Sequence, residues 1–304
     1  MDSGITTKLI GLKLANPTML ASGILGYTGL SLMSVIEAGA GAVITKSMGL
    51  KPRIGYPNPT IVQTECGLLN AMGLPNSGIN HFEEEMNQLK KIEVPMIISI
   101  YGFTIEEFCD VAETAVKIGA DALELNVSCP HIENAGAEIG CDPILLKRIV
   151  KEVKKKVQKP IIVKLTPNVT KISDIAKVVE KAGADAITAV NTFKAMAIDT
   201  ETSRPILANK FGGLSGPAIK PMAIRCVYDI YRSVDIPIIG CGGISNWQDA
   251  VEFMLAGASA VQIGTAIAYK GINIFHSVNE GIETYLKRKG FKNVNEIVGL
   301  SHKL

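Results

Sequence analysis

The chain has 304 residues, of which 47% are hydrophobic, so a large buried core is possible. Thirty-one Lys and Arg residues against 29 Asp and Glu residues leave a formal net charge of +2. This balance gives no reason to expect nucleic acid or an anionic membrane as a partner. The length fits either two domains or one α/β barrel. We expect one domain over residues 1–304 and a small-molecule ligand.

The six cysteines are scattered along the chain, without a CxxC pair or the spacing of metal ligands. A disulfide framework, a zinc site and an iron–sulfur site are therefore not predicted for this chain. No signal peptide and no run of about 18 apolar residues is recognisable. We expect a cytoplasmic protein in a reducing compartment, with no bound metal and no membrane contact.

Four segments repeat one pattern, in which a helix ends at a glycine and a short apolar run follows. The glycine suits the left-handed position that closes a helix. An apolar run with little alternation is typical of a strand buried on both faces. The four segments are 37–44, 117–124, 181–188 and 255–262. Each one predicts a helix that leads into a strand of a parallel sheet.

Four further strands complete the pattern. Three of them, at 94–99, 159–164 and 236–240, have a proline near the start, where no ladder donor is yet required. The fourth is Pro17–Ser22. Helical spacing of apolar and charged residues fills the stretches 30–38, 77–91, 104–118, 143–157, 172–182, 219–232, 246–256 and 272–288.

Eight alternating β and α units predict an α/β protein with a single (β/α)8 barrel of the TIM type. The alternative is an open, doubly wound sheet. That fold would favour a glycine-rich first turn, and no G-x-G-x-x-G segment follows any predicted strand. The sequence therefore favours the barrel, with the active site at the carboxyl ends of its strands.

Those carboxyl ends carry many polar residues and glycines. They are Ser22, Thr45, Lys46, Ser47, Ser99, Asn126, Lys164, Asn191, Thr192, Gly242, Gly243, Gly264 and Thr265. Two long connections also begin there. One follows the second strand and contains Asn70–Asn76, and the other covers 193–217 after the sixth strand. Connections of that length are usually functional.

Lys46 and Lys164 stand at the inner ends of apolar strands. A buried ammonium group costs on the order of several kcal/mol unless it is paired, so each lysine is expected to meet an anionic or acceptor-rich partner. The alternative is a structural lysine whose ammonium group reaches solvent. Gly242–Gly243 and Gly264–Thr265 follow the strands after which barrels often bind phosphate on backbone N–H groups, although plain tight turns are the alternative.

Four asparagines are expected to converge on the same mouth: Asn70, Asn76, Asn126 and Asn191. Each of them alone fits an ordinary turn. Together, and with Thr192, they suit a flat ligand that donates and accepts hydrogen bonds along its edges.

The segment Asn126–His131 ends an apolar run with a thiol that proline follows at once. Pro130 prevents a helix from continuing and favours extended geometry at Cys129, so the thiol is expected on a loop just past a strand. A buried, unreactive cysteine is the alternative. The polar neighbours and the glycine-bearing loop 134–140 favour a functional thiol. His131 fits a loop residue better than a catalytic base.

Several segments together resemble the dihydroorotate dehydrogenases, and the resemblance covers nearly the whole chain. The segments are Asn70–Asn76, Asn126–His131, Val163–Asn168 and Gly212–Pro221. They are similar to the soluble class, whose base is a cysteine. Asn191–Asp199 and Pro205–Asn209 resemble the branch that passes electrons to NAD through a second subunit. Ser99 stands where we expect a flavin-contacting asparagine in the family.

The resemblance implies an enzyme that binds one FMN per chain and oxidises dihydroorotate to orotate in de novo pyrimidine (UMP) biosynthesis. Cys129 would take the C5 proton while a hydride passes from C6 to FMN. The residues implied for FMN are Ser22, Lys46, Ser47, Ser99, Asn126, Lys164, Val190, Gly216, Gly242, Gly243, Gly264 and Thr265. Those implied for the substrate are Lys46, Asn70, Ala71, Met72, Gly73, Leu74, Asn126, Asn191 and Thr192. It also implies an electron-transfer partner with FAD and a [2Fe–2S] cluster, and a homodimeric core within a heterotetramer.

Two other functions stay open at this point. A related dihydropyrimidine dehydrogenase activity on uracil or thymine would use a similar cysteine loop. Lys46 and the loop Asn70–Asn76 favour a substrate with a carboxylate, which uracil lacks. The second alternative is a non-redox barrel that binds a phosphorylated ligand, with Cys129 structural. A flavin absorption spectrum of the purified protein would exclude it.

Overall fold

The computed structural model describes residues 4–85, 94–128 and 139–303. In chain order the strands are β1 (Thr7–Leu9), β2 (Leu12–Leu14), β3 (Thr18–Leu20), β4 (Ala42–Ile44), β5 (Ile61–Thr64), β6 (Gly67–Asn70), β7 (Met96–Ile100), β8 (Ala122–Asn126), β9 (Ile161–Leu165), β10 (Ala186–Ala189), β11 (Phe193–Ala195), β12 (Ile198–Asp199), β13 (Arg204–Pro205), β14 (Gly212–Ser215), β15 (Ile238–Cys241) and β16 (Ala258–Ile263). The α-helices are α1 (Gly29–Glu37), α2 (Ile105–Lys117), α3 (Pro143–Lys156), α4 (Ile172–Ala182), α5 (Lys220–Tyr231), α6 (Trp247–Leu255), α7 (Ala266–Lys270) and α8 (Ile274–Lys289).

Eight strands form a closed parallel barrel in the order β3-β4-β7-β8-β9-β10-β15-β16, and β16 pairs with β3 to complete it. All eight strands are those that the sequence predicts, and the (β/α)8 fold is confirmed. Each barrel strand is short and almost wholly buried, as in β9, where all five residues are buried. This burial explains why the sequences of the strands are apolar runs and do not alternate between apolar and polar residues.

The predicted helices are confirmed at seven of the eight places, with ends that differ by at most two residues. Within 77–91, a 3₁₀ turn covers Ile79–His81 and residues 83–85 are helical, and residues 86–91 lie outside the described part of the chain. The sequence does not predict α7, because five residues are too few to show a helical period. The four repeat glycines all have a positive φ, between 94° and 121°, as helix-ending glycines should.

Capping side chains fix where several helices begin. Thr104 Oγ1 accepts the N–H of Glu107 at 3.2 Å to start α2, and Asn246 caps α6 in the same way. Asp142 Oδ1 accepts the N–H groups of Ile144 and Leu145 at the start of α3. Each cap satisfies N–H groups that have no partner inside the helix.

The core has two layers, and the inner one fills the barrel. Met19, Ile44 and Ile97 belong to the inner cluster, and Leu9 and Leu14 of the β1–β2 hairpin pack into it. The hairpin therefore closes the end of the barrel where the strands begin. The outer cluster lies between the strands and the helices. Ligand access is left at the carboxyl ends of the strands.

The two long connections form a second sheet of their own, which the sequence does not predict. It is antiparallel, with the order β11-β14-β6-β5. Asn70 at the end of β6 is in register with Gly213, and Phe193 at the start of β11 is in register with Leu214. This sheet joins the connection after β4 to the connection after β10. It therefore places Asn70 and Thr192 near each other.

In the described parts of the chain, no helix is long and apolar enough to cross a bilayer. The five described cysteines are all free thiols.

We expect Leu14→Ala to lower the free energy of unfolding by about 2–5 kcal/mol, because Leu14 is fully buried and its truncation leaves a cavity in the inner core. Urea unfolding followed by circular dichroism measures the change. Lys8→Ala in the same hairpin is the control, since Lys8 is exposed and its truncation should change stability by less than about 0.5 kcal/mol. Equal effects of the two changes would contradict the role given to the hairpin.

Candidate active site

A cavity of about 490 Å³ opens at the carboxyl ends of the barrel strands. This volume lies in the range of small-molecule sites. The structure brings together nearly all of the residues that the sequence singles out. Those that line the cavity are Ser22, Lys46, Ser47, Asn70, Met72, Gly73, Leu74, Ser99, Asn126, Lys164, Val190, Asn191, Thr192, Gly216, Gly242, Gly243, Gly264 and Thr265.

Among the predicted residues that the structure describes, Thr45, Ala71 and Asn76 are not part of this lining. Ala71 lies in the loop after β6, where its N–H donates to the carbonyl of Thr60 at 2.8 Å. Cys129 lies outside the described residues, as does His131. Cys129 is bonded to Ser128, and Ser128 does line the cavity.

Lys164 has the acceptor-rich partners that its buried position requires. Its side chain is 7% exposed, and its Nζ donates to Gln262 Oε1 at 2.9 Å and lies 3.7 Å from Glu124 Oε1. Burial alone lowers the pKa of Lys164, but Glu124 and, less strongly, Cys241 more than offset this and raise the pKa above its usual value. Lys164 therefore presents a fixed positive charge to the cavity.

Lys46 is the second buried cation of the cavity, with 6% of the residue exposed. Its Nζ lies 5.8 Å from the centre of the Tyr27 ring, which places the ammonium group over an aromatic face. Tyr27 is itself held by a hydrogen bond from its hydroxyl to the carbonyl of Pro75. The cavity thus combines two positive charges, one just after β4 and one in β9, an arrangement suited to an anionic or electron-rich ligand.

A chain of hydroxyl and amide groups crosses the floor of the cavity. The Oγ atoms of Ser47 and Ser99 are 2.9 Å apart, and those of Ser22 and Ser47 are 3.3 Å apart. Asn126 Nδ2 donates to Ser47 Oγ at 3.1 Å. Ser99 is fully buried, so it supports Ser47 from below. The chain fixes the amide of Asn126 in one orientation.

Asn126 and Asn191 lie side by side above this floor. Asn191 Nδ2 donates to Ser128 Oγ at 2.9 Å and lies 3.4 Å from Asn126 Oδ1. Across the mouth, Asn70 Nδ2 donates to the carbonyl of Gly213 at 3.2 Å. The structure therefore brings three of the four predicted amides to the cavity, where they can meet the edges of a flat ligand.

The expectation for Asn76 is wrong, because its amide is buried beneath the loop rather than in the cavity. Asn76 Oδ1 accepts the N–H groups of Gly49 and Gly78. Its Nδ2 donates to the Leu74 carbonyl at 2.9 Å and to the Tyr101 hydroxyl at 2.7 Å. These bonds hold the segment that presents Asn70, Met72 and Leu74. Asn76 is thus a support of the loop and not a ligand of the cavity.

The glycines that follow β15 and β16 expose their backbone to the cavity, because they carry no side chain. Gly242 and Gly243 have φ values of 133° and 79°, which side-chain-bearing residues rarely adopt. A Cβ at Gly242 would lie 2.8 Å from Ala223 Cβ, and one at Gly243 would lie 2.8 Å from the Gly216 carbonyl oxygen. Such a cradle allows a phosphate to approach backbone N–H groups closely.

The sequence interpretation missed Glu124 and Gln262, which lie in the barrel at the base of the cavity. The sequence does contain a pattern that could have predicted both residues. Side chains alternate across a strand, so Glu124 shares the inward face with Asn126, and Gln262 shares it with Gly264. A carboxyl or amide at such a position is a polar group placed inside the barrel. Ser128, Tyr27 and Arg53 also line the cavity and were not predicted.

No group of three or more His, Cys, Asp and Glu residues suited to a metal ion occurs in the described parts of the chain. The polar lining of the cavity instead consists mainly of ammonium, amide, hydroxyl and backbone groups, with one carboxylate, one guanidinium and one thiol. Among cofactors, these donors suit a flavin mononucleotide: the glycine cradle fits its phosphate, and a buried ammonium fits an electron-accepting ring.

Comparison with known proteins agrees with this chemistry. The family model for dihydroorotate dehydrogenase matches residues 4–286. Proteins named dihydroorotate dehydrogenase B (NAD(+)), catalytic subunit, are similar along almost their whole length. The one from Pyrococcus furiosus is 53% identical over 300 residues, which cover 99% of each chain. Those from Methanocella arvoryzae and Methanosarcina mazei are 53% and 51% identical, covering 99% and 97% of this chain and 98% and 95% of theirs. The chain belongs to the dihydroorotate dehydrogenase family.

Proposed function

We propose that this chain, as one domain, oxidises dihydroorotate to orotate with FMN as the first electron acceptor, in pyrimidine biosynthesis. The observation that carries the proposal is that one cavity is lined both by a glycine cradle and by two buried lysines, Lys46 and Lys164. The cradle suits a phosphate, and the lysines suit a ring and a substrate that carry or gain negative charge.

The FMN phosphate would lie against Gly242, Gly243, Gly264 and Thr265. The ring would lie toward Lys164, with Ser22, Ser47, Ser99, Asn126, Val190 and Gly216 around it. FMN, when bound, would accept the hydride from C6 of the substrate. The fixed charge of Lys164 would stabilise the negative charge that the ring then gains.

The substrate would lie against the ring on the side of the second sheet. Its carboxylate would meet Lys46 and the loop from Asn70 to Leu74, and its ring amides would meet Asn126, Asn191 and Thr192. The hydrogen bonds among these amides fix which atoms face the substrate, because Asn191 donates to Ser128 and Asn126 donates to Ser47. A preorganised site of this kind orients C5 and C6 for reaction.

Cys129 would take the C5 proton. A free thiol with a pKa near 8.5 is a weak base at neutral pH, so its surroundings must tune it. Its neighbour Ser128 is joined to Asn191 and Asn126 at the cavity, which supports placing the base beside the substrate amides.

The relatives' names also motivate a proposal about electron transfer. Those proteins are named as NAD(+) catalytic subunits. We propose that this chain likewise works with a partner subunit that carries FAD and a [2Fe–2S] cluster, around a homodimeric core in a heterotetramer. Such a partner would supply the one-electron carrier and the site at which NAD is reduced.

An absorption spectrum tests the proposal directly. The purified protein should show a flavin spectrum, and dihydroorotate should bleach it under anaerobic conditions. Bleaching by dihydrouracil in place of dihydroorotate would favour the dihydropyrimidine alternative. Absence of flavin, with phosphate esters bound instead, would favour the non-redox barrel.

We expect Cys129→Ala to leave FMN bound but to slow flavin reduction by dihydroorotate roughly a hundredfold or more, as loss of a positioned base does. Cys129→Ser should keep a little activity, shifted to higher pH. Stopped-flow absorbance measures the rate. Cys66→Ala, an exposed thiol in the turn between β5 and β6, is the control and should reduce at the wild-type rate. A wild-type rate for Cys129→Ala would show that the thiol is structural.

We expect Asn76→Ala to raise the KM for dihydroorotate about tenfold, since the loop loses a support worth about 1–3 kcal/mol. The affinity for FMN should change less than twofold, because Asn76 does not line the cavity. Steady-state kinetics and flavin fluorescence measure the two effects. Asn209→Ala, an exposed amide bonded to the Phe211 carbonyl, is the control. Equal losses of FMN and substrate affinity would argue that Asn76 supports the whole barrel.

We expect the isolated chain to be reduced by dihydroorotate yet to reduce NAD only slowly. Its cysteines lack cluster spacing, and no strand is followed by a dinucleotide fingerprint. Adding a partner with FAD and a [2Fe–2S] cluster should give rapid NADH formation, measured at the NADH absorption band. Efficient NAD reduction by this chain alone, or fast turnover with fumarate, would place it in another branch of the family.

A further inference from the structure

A carboxylate is buried at the base of the cavity, and the proposed reaction gives it no task. Glu124 in β8 is fully inaccessible to solvent. Its Oε2 accepts hydrogen bonds from Gln262 Nε2 at 2.6 Å and from Thr188 Oγ1 at 2.9 Å. Taking a carboxylate out of water costs on the order of several kcal/mol of desolvation free energy unless other groups compensate its charge.

The other carboxylate oxygen of Glu124 is buried without a hydrogen bond in the described parts of the chain. Glu124 Oε1 has no hydrogen-bond donor among the described residues, and the nearest cation is Lys164 Nζ at 3.7 Å. Since the neighbouring strands direct donors to Oε2, the remaining negative charge faces Lys164. The carboxylate and the ammonium group therefore form a buried ion pair across β8 and β9.

Gln262 links the two members of this pair. Its Oε1 accepts from Lys164 while its Nε2 donates to Glu124, and only this orientation of the amide suits both neighbours. Glu124 thus fixes the orientation of Gln262, and Gln262 in turn fixes the position of Lys164 Nζ. The titratable groups that face Lys164 in this arrangement are Glu124 and Cys241, with Lys46 on the same cavity wall.

We propose that Glu124 is a positioning residue that keeps Lys164 in place as an ammonium group facing the ring of bound FMN. This inference rests on the proposed function for the identity of the ring, but the ion pair itself is a property of the barrel. In this role Glu124 acts through Lys164, 3.7 Å away, and through Gln262, which is bonded to both.

The proposal predicts that loss of Glu124 lowers the pKa of Lys164. Burial lowers the pKa of Lys164, and Glu124 is the strongest influence that raises it again. Without the carboxylate, burial dominates, and buried lysines can then lose their proton near neutral pH. Glu124→Gln should therefore leave Lys164 neutral over much of the range from about pH 7 to pH 10.

The first readout is the unfolding free energy of the FMN-loaded chain as a function of pH. In the Glu124→Gln variant the pKa of Lys164 in the folded chain lies below its unfolded value. Folding then releases a proton between the two values, so stability is lost as the pH falls toward the folded pKa. We expect a new decrease in stability from pH 10 toward about pH 7 that wild type lacks, and that disappears when Lys164→Met is added.

The second readout is the reduction potential of the flavin. In wild type, two electrons and one proton give a reduced ring with one negative charge beside a permanent ammonium group. In Glu124→Gln, reduction should also draw a proton onto Lys164, so two protons accompany two electrons. The slope of the midpoint potential against pH should therefore double over the window in which Lys164 is neutral.

Thr188→Val is the matched control, since it removes a hydrogen bond to Glu124 Oε2 but keeps the carboxylate. It should lower stability at every pH without changing the slope of the potential. If Glu124→Gln does not fold, the pair Glu124→Met and Lys164→Met tests the coupling, because two apolar side chains can replace a buried ion pair. The double variant should then be more stable than either single variant.

Wild-type pH dependence of both stability and potential in a folded Glu124→Gln protein would overturn the proposal. So would a double methionine variant with no more stability than the single ones. These outcomes are separate from a failure of the proposed function, which would appear as absent flavin or as flavin that dihydroorotate does not reduce in wild type.

Discussion

Closure of eight parallel strands into one barrel is the constraint on which the site depends. Because every strand runs in the same direction, groups that are far apart in the chain end at one rim, as Lys46, Asn126 and Lys164 do. The β1–β2 hairpin fills the opposite end with Leu9 and Leu14. The barrel thus has an apolar base and a polar mouth, and the polar groups need only be supported at the mouth.

The second sheet supplies that support on the side of the mouth where Asn70 and Thr192 lie. The connections after β4 and β10 are too long to be fixed by their own ends, and their pairing through β6 and β14 removes this freedom. The pairing needs a glycine at position 213, because a Cβ there would overlap the side chain of Thr192. Thr192 and Asn70 can therefore approach closely, which neither connection could achieve alone.

The barrel could be predicted from the sequence because its signals are local. A glycine that closes a helix and an apolar run that follows depend on a few neighbouring residues, as at Gly183 and β10. Cavity-lining residues such as Lys164 and Gly243 could be predicted from their position at strand ends. The second sheet could not, since β6 and β14 pair across a separation of well over a hundred residues. Asn76 was misplaced for a related reason: the sequence shows an amide in the loop but not the direction in which it points.

Glu124 and Lys164 show that a buried ion pair in a barrel can serve a purpose other than stability. Replacing Glu124 and Lys164 by apolar side chains would avoid the desolvation of two charges, and such replacements are often neutral or stabilising. The ion pair is therefore weak evidence for stability, and strong packing in the inner cluster does not need it. What the pair gives is a cation that stays charged inside an apolar barrel. Without the carboxylate, burial would lower the pKa of Lys164, and without the ammonium group, the carboxylate would be an uncompensated buried charge at the base of the cavity. Each member of the pair therefore stabilises the charged form of the other at a position that is shielded from solvent.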